Sequence, residues 1–256
     1  MEDADRPSTH GFGRNTTARR TGARLYALAG AAAFMASLAY FTYAYGVRLG
    51  ADDPDPAPLA RGLAVNAGLF SLFALHHSLL ARSGAKRWVE RHLPVGIERA
   101  TYVWTASILL ALTCAWWQPL AGDLYRAEGL LRAAGFALQG AGILLAVCSA
   151  AVLDMGELAG IRQAAEPPAR PGEDPLAELR IRGPYRRLRH PLYAGLLLAL
   201  LGTPDMTYSR LSFALLSTAY ILAAIPWEER DMAARFGARY DRYRTQVPWR
   251  LVPGVY

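Results

Sequence analysis

Apolar residues in this chain come in long, nearly unbroken runs separated by polar stretches. A run of 18 or more apolar residues with few charges reads as a membrane-spanning helix. Four stretches qualify: Leu25 to Val47, Leu59 to Ala81, Ala100 to Trp117 and Leu130 to Leu153. A fifth, Leu192 to Thr203, is too short to cross alone at about 1.5 Å per residue. It joins Leu211 to Ile225 through Thr203-Pro-Asp-Met-Thr-Tyr, a turn-rich break. The pattern predicts an all-α polytopic membrane helical bundle: four spans plus a C-terminal helical hairpin, which is either re-entrant or crosses twice. The first run has the position of a signal peptide, but its length and the spans after it predict a retained span.

Residues 1–24 are polar, with no periodicity, and predict a disordered tail. Residues 25–256 read as one membrane domain. The polar interval 154–190 contains Glu166-Pro-Pro-Ala-Arg-Pro-Gly-Glu-Asp-Pro175, a breaker cluster that admits no regular element. This interval opens the half of the domain, about 154–256, that holds most of the candidate chemistry.

Charge orients the bundle. The formal net charge of +7 in a soluble protein would point to nucleic acid, but here the positive-inside rule accounts for it and no nucleic-acid partner is expected. With an even number of spans and the N-terminus inside, 23 of the 28 Lys and Arg fall on the inner side. Arg48, Arg61, Arg126, Arg132 and Arg210 remain outside, with Asp52, Asp53 and Asp55. Both termini are therefore predicted in the cytoplasm, with the lipid bilayer as partner. Cys114 and Cys148 each lie in a predicted span and read as small apolar filler. No paired Cys/His spacing suggests a metal site.

The chemistry gathers in Gly183-Pro-Tyr-Arg-Arg-Leu-Arg-His-Pro-Leu-Tyr-Ala-Gly195 and Glu228-Glu-Arg230, on either side of the hairpin. Pro191 suits a first helical turn, because its missing N–H would have no helical partner. The helix start after His190 then offers free N–H groups and a positive dipole end to an anion. Arg186, Arg187 and Arg189 add charge there, or else touch lipid phosphate. Trp227 to Val247 predicts one amphipathic helix, with Glu229, Met232, Phe236, Tyr240, Tyr243 and Val247 on one face. A carboxylate heading that stripe either pairs with a nearby arginine, contacts a cationic cofactor or serves as a base. His76 and His77 lie in the second span, about 9 Å of helix before Arg82, on the same side of the membrane. Ionisable residues at that depth are candidates for function. The two point about 100° apart, so one helix face cannot present both. Each reads as a hydrogen-bonding or interfacial residue, a substrate-site polar group or a haem ligand.

The combination Gly-Pro-Tyr-Arg…Arg-His-Pro-x-Tyr-x-Gly, then Glu-Glu…Phe-Gly…Tyr…Tyr…Val-Pro, resembles the isoprenylcysteine carboxyl methyltransferase group of membrane enzymes. Ala74 to Arg82, Lys86-Arg-Trp88, Glu98 to Val103, Trp117-Gln-Pro119, Gly160-Ile-Arg-Gln163, Met206-Thr, Ala219-Tyr-Ile and Glu228-Glu-Arg-Asp231 narrow the likeness. They resemble the bacterial methanethiol S-methyltransferases and relatives of the denitrification-associated membrane protein NnrU. The likeness spans about 60–253. One departure is Val152-Leu-Asp-Met-Gly-Glu-Leu-Ala, where those enzymes carry an aromatic and histidine-containing segment.

The resemblance implies S-adenosyl-L-methionine as cofactor, a small thiol as substrate and a site at the cytoplasmic face of a bacterial inner membrane. It implies cofactor contacts at Tyr185, Arg189, His190, Tyr193, Glu228, Glu229 and Tyr240. It places Arg162 and Gln163 near the reacting thiol; the residue reading above adds Glu229 and His76 as further catalytic candidates. Two alternatives stand beside it: methylation of a carboxyl or other lipophilic acceptor, and a haem-binding redox or isomerase protein using His76 or His77.

Overall fold

The structure, a computed structural model, describes residues 10–53, 55–80, 97–153, 156, 159, 161–165 and 179–256; for 10–19, 79, 80, 163 and 165 it describes the backbone only. The four long apolar runs are helices: α1 (His10–Gly46), α2 (Leu59–Leu80), α3 (Glu98–Trp116) and α4 (Gly129–Val152). After the short α5 (Ile161–Ala165) come α6 (Pro191–Leu201), α7 (Tyr208–Phe236) and α8 (Ala238–Gln246). Helices α1, α2, α4 and α7 are each long and apolar enough to cross a membrane.

α1 begins inside the segment predicted to lack structure. Once an apolar span is helical, each added residue gains a hydrogen bond and needs no new nucleus, so helix propagates into polar sequence. Residues 1–9 lie outside the described residues, as does the breaker cluster 166–175.

Two short strands, β1 (Asp123–Arg126) and β2 (Asp205–Thr207), pair antiparallel. Neither is visible in the sequence, because each is too short for a periodic signal and its partner is remote in the chain. They tie the hairpin tip to the α3–α4 connection. Around them Arg126 pairs with Asp52 and Asp123, and Arg132 with Asp205. The Thr207 hydroxyl donates to the Leu49 carbonyl and accepts from the Arg210 N–H, capping α7. Arg210 is buried and donates to the carbonyls of Tyr45, Gly46 and Asp205. Two of these end α1, where carbonyls lack helical partners and a cation complements the dipole. The hairpin therefore reaches the end where the α1–α2 and α3–α4 connections gather.

α6, about 16 Å long, lies against α4 at a glycine contact. A Cβ on Gly142 would lie 2.3 Å from the Ala199 nitrogen, and one on Gly195 2.5 Å from the Ala146 nitrogen. Only glycine lets the two backbones approach this closely. The opposite face of α4 exposes Leu130, Leu131, Phe136, Leu144 and Val147. An apolar face of this extent on a membrane bundle meets lipid. Phe41, Tyr45, Phe70 and Trp117 pack their rings around Phe213 in the core.

The predicted single helix over Trp227 to Val247 is two helices. α7 passes through Pro226 unbroken and ends at Gly237, whose φ of +52° is the left-handed conformation that glycine adopts readily. The chain then turns into α8. Glu229, Tyr240, Tyr243 and Val247 stay buried and Phe236 packs across the turn on the last three, but Met232 is exposed, so the stripe is interrupted within α7.

Candidate functional site

α6 begins at Pro191, as its sequence predicts, with His190 at the cap position. Two backbone bonds fix the residues before it. Arg189 N–H donates to the Trp249 carbonyl and His190 N–H to the Arg250 carbonyl, both at 2.9 Å. The segment just before the hairpin is thereby laced to the segment after α8. The Tyr243 hydroxyl donates to the Tyr185 carbonyl at 2.8 Å and holds the Gly183–Arg186 turn against α8.

The two adjacent carboxylates of α7 have different surroundings. Glu229 is buried and ringed by cations. Arg189 Nε lies 2.7 Å from its Oε1, Arg250 Nη2 lies 3.0 Å from its Oε2, and His190 Nε2 lies 3.3 Å from Oε1. Of the readings the sequence leaves open for this carboxylate, the structure shows the ion pair. An anion held by several charge-assisted bonds is a weak base. Glu228, one residue earlier and about 100° around the helix, keeps 42% of its side chain exposed. The Tyr193 hydroxyl donates to its Oε1, and His190 Nδ1 lies 3.7 Å from its Oε2. His190 thus stands between the two carboxylates, its ring stacked on Tyr193 at 5.8 Å.

Burial pushes the Tyr185 hydroxyl up to about 12, with the Glu228 charge adding to the effect. Burial does the same to Tyr240, also to about 12, with Glu229 contributing. For Arg250 burial opposes the charge, but its hydrogen bond to Glu229 outweighs that and raises its pKa.

A second polar group lies between α2, α3 and α7. The Tyr102 hydroxyl is 2.8 Å from His77 Nδ1 and 3.2 Å from the His77 carbonyl. Its ring also stacks on His76 at 5.5 Å. One tyrosine thereby serves both histidines, which the helix directions alone had kept apart; a long aromatic side chain spans the angle between them. Ser78 donates to the Tyr220 hydroxyl at 3.0 Å. Tyr220 and Tyr193 pack around the same cluster of Ile221, Ile225 and Leu251.

Of the residues that the sequence singles out, Arg189, His190, Tyr193, Glu228 and Glu229 form one cluster, with Tyr185 and Tyr240 on its flank. Arg162 belongs to a different part of the bundle by its helix. Its helix, α5, packs through Ile161 and Ala164 on Ala23, Ala27 and Ala100, two residues from Tyr102. The side chain of Gln163 lies outside the described residues, as do Lys86 and Trp88. Tyr102 and Tyr220 lie in segments that carry the family likeness, Glu98 to Val103 and Ala219-Tyr-Ile, but the sequence gives neither a role, and Arg250 has no motif to mark it. Arg250 becomes part of the site only through the backbone lacing of 189–190 to 249–250. Among the described residues no cluster of three His, Cys, Asp or Glu is placed to hold a metal ion.

The chain is 39% identical over 237 residues to methanethiol S-methyltransferase 2 of Bradyrhizobium diazoefficiens, covering 91% of this chain and 90% of that protein. This chain belongs to the methanethiol S-methyltransferase family. It is also 37% identical over 235 residues to the methanethiol S-methyltransferase of Mycobacterium tuberculosis, covering 86% of this chain and 94% of that one. A more distant likeness joins it to nurim of Sus scrofa, 32% identical over 182 residues, 66% of this chain and 68% of that protein. No family model matches the chain, and no solved structure matches it.

Proposed function

We propose that this protein methylates a small thiol, of the methanethiol kind, with S-adenosyl-L-methionine as donor. The observation that carries the reading is the likeness to methanethiol S-methyltransferases along nine-tenths of the chain. The cluster at the start of α6 supports it. When bound, S-adenosyl-L-methionine supplies a sulfonium methyl to a thiolate, and the two opposite charges vanish as the methyl moves.

The donor set at the site fits such a ligand. Glu228 is a carboxylate still open to a cation, and Tyr193 fixes its orientation. Arg189 and Arg250 are engaged with Glu229, so their task is to hold the Gly183–His190 segment and the chain after α8 in place. Tyr185 and Tyr193 supply aromatic surface beside the charge, which suits a sulfonium or ammonium group. Rigid positioning is the main service of such a site, since methyl transfer needs the donor, the methyl and the attacking sulfur in line.

The asymmetry of basic residues supports a site at the cytoplasmic face, with both termini inside, and the likeness to bacterial enzymes supports a bacterial inner membrane. A charged cofactor then arrives from the cytosol, and a small apolar thiol from the bilayer. The test is incubation of purified protein in nanodiscs with methyl-labelled S-adenosyl-L-methionine and a panel of small thiols, fatty carboxylates and lipids. Label in small thiols supports the reading; label confined to carboxylates or lipids contradicts it.

A further inference from the structure

The adjacent histidines of α2 are in opposite circumstances. His77 is engaged by Tyr102, stacked on Phe73 at 5.6 Å and edged by Tyr220. His76 has both ring nitrogens buried, and neither has a hydrogen-bond partner. A buried, unpaired imidazole is neutral, because a charge there would be uncompensated. It therefore carries one N–H and one free lone pair. Buried polar groups left unpaired are rare and call for an explanation, an absent ligand among them.

The position of His76 supplies one. Its ring lies on Tyr102, and Ser78 and Tyr220 connect that region to Tyr193 and Glu228. Tyr102 is in direct contact with His76, and the charged and titratable groups around the adjoining His77–Tyr102 contact are Arg99 on α3 and Tyr220 and Glu228 on α7. On the same helix Leu72 and Leu75 are exposed on the lipid-facing flank, a route for a small apolar molecule. The thiolate, not the thiol, is the nucleophile, and a free alkyl thiol is almost wholly protonated at neutral pH. Glu229 is committed to its cations, Glu228 accepts from Tyr193 and is the carboxylate that faces the cofactor's cation, and the site tyrosines stay protonated, which leaves the unpaired imidazole as the acceptor for the thiol proton.

Resting on the thiol-methyltransferase reading, we propose that His76 is the base of the thiol site. An uncharged small thiol sets its S–H against the free imidazole nitrogen. The S–H bond breaks, its electron pair stays on sulfur as the thiolate, and the proton forms a second N–H on His76. The imidazolium returns that proton to water after turnover. The apolar surroundings select against charged thiols such as cysteine or glutathione.

The test compares wild type with His76→Leu in detergent, with two readouts. The first needs no cofactor. His76→Leu removes an unpaired polar group and should unfold at a temperature no lower than wild type. Ethanethiol should raise the unfolding temperature of wild type and not that of the variant, while S-adenosylhomocysteine shifts both alike. The second readout is methyl transfer to ethanethiol. The variant should lose about 100-fold at pH 7, the scale of a lost general base. The deficit should shrink toward pH 9.5 as the thiol ionises unaided. Turnover within about twofold of wild type, or a loss that is the same at every pH, overturns the proposal. Should His76→Leu unfold early, His76→Phe, which retains the stack on Tyr102, carries the same comparison. If wild type methylates no thiol, the activity reading fails, and the ethanethiol shift alone decides whether the thiol site exists.

Discussion

Arg189 and Glu229, separated by 40 residues, form an ion pair of 2.7 Å with side chains only 9% and 5% exposed. One stands just before the hairpin and the other just after it. The pair closes the hairpin at its base, and Arg250 brings the last segment into the same contact. Breaking a buried pair from one side leaves a charge without compensation, at a cost of about 3–5 kcal/mol. Glu229→Gln and Arg189→Met should each destabilise the protein on that scale, measured by denaturant unfolding in detergent. The double variant should cost less than the sum of the two, a coupling that a double-mutant cycle reads directly. Asp241→Asn, in the exposed Asp241–Arg244 pair, should change stability by less than about 1 kcal/mol.

Glu228 has the opposite expectation. Its carboxylate is half open, so Glu228→Gln should leave unfolding nearly unchanged and weaken ligand binding. A lost charge-assisted contact is worth about 1.5–3 kcal/mol, roughly tenfold to a hundredfold in affinity. Calorimetric titration should show a larger loss for S-adenosyl-L-methionine than for S-adenosylhomocysteine, which lacks the sulfonium charge. Equal losses would remove Glu228 from the neighbourhood of that charge. His190→Ala should weaken both ligands, because His190 spaces the two carboxylates.

Much of this was legible before any coordinates. Three of the long apolar runs give α2, α3 and α4 within about two residues, because twenty or so apolar residues admit little but a helix of that length, whereas α1 starts at His10, well before its run. Pro191 marks the start of α6, since proline favours a first turn. The cluster of His190, Glu228 and Glu229 follows from motifs placed at either foot of a hairpin. What the sequence does not carry are contacts between remote segments of irregular chain. The pairing of β1 with β2 and the arrival of Arg250 at Glu229 depend on backbone bonds that leave no periodic trace. The division of labour between Glu228 and Glu229 was equally hidden, because adjacent identical residues differ only by which way the helix turns them. The break at Gly237 was missed for a different reason: the apolar spacing continues across it.

The site tyrosines should not set the pH profile. Tyr185 and Tyr240 are pushed up to about 12, so both stay protonated through the range where the enzyme can be assayed. Tyr185→Phe and Tyr240→Phe should lower the rate, if at all, by the same factor from about pH 6 to 9. A changed profile in either variant would give that hydroxyl a role in proton transfer.

Orientation can be read by labelling. A cysteine in place of Asp53, on the connection after α1, should react with an impermeant maleimide in intact cells. One in place of Thr245, exposed on α8, should react only after the cells are opened. The reverse pattern would put the carboxylate cluster on the wrong face for a cytosolic cofactor.

The central claim is that a methyl group moves from S-adenosyl-L-methionine to a small thiol. Purified protein, methanethiol and donor bearing a trideuterated methyl, sealed together and sampled by headspace mass spectrometry, test it most directly. The account predicts dimethyl sulfide three mass units heavier than the unlabelled compound. Formation should depend on protein, and its rate at subsaturating thiol should rise with pH as the nucleophile ionises. Label recovered only in methyl esters or lipid, with no heavy dimethyl sulfide at any pH, would contradict it.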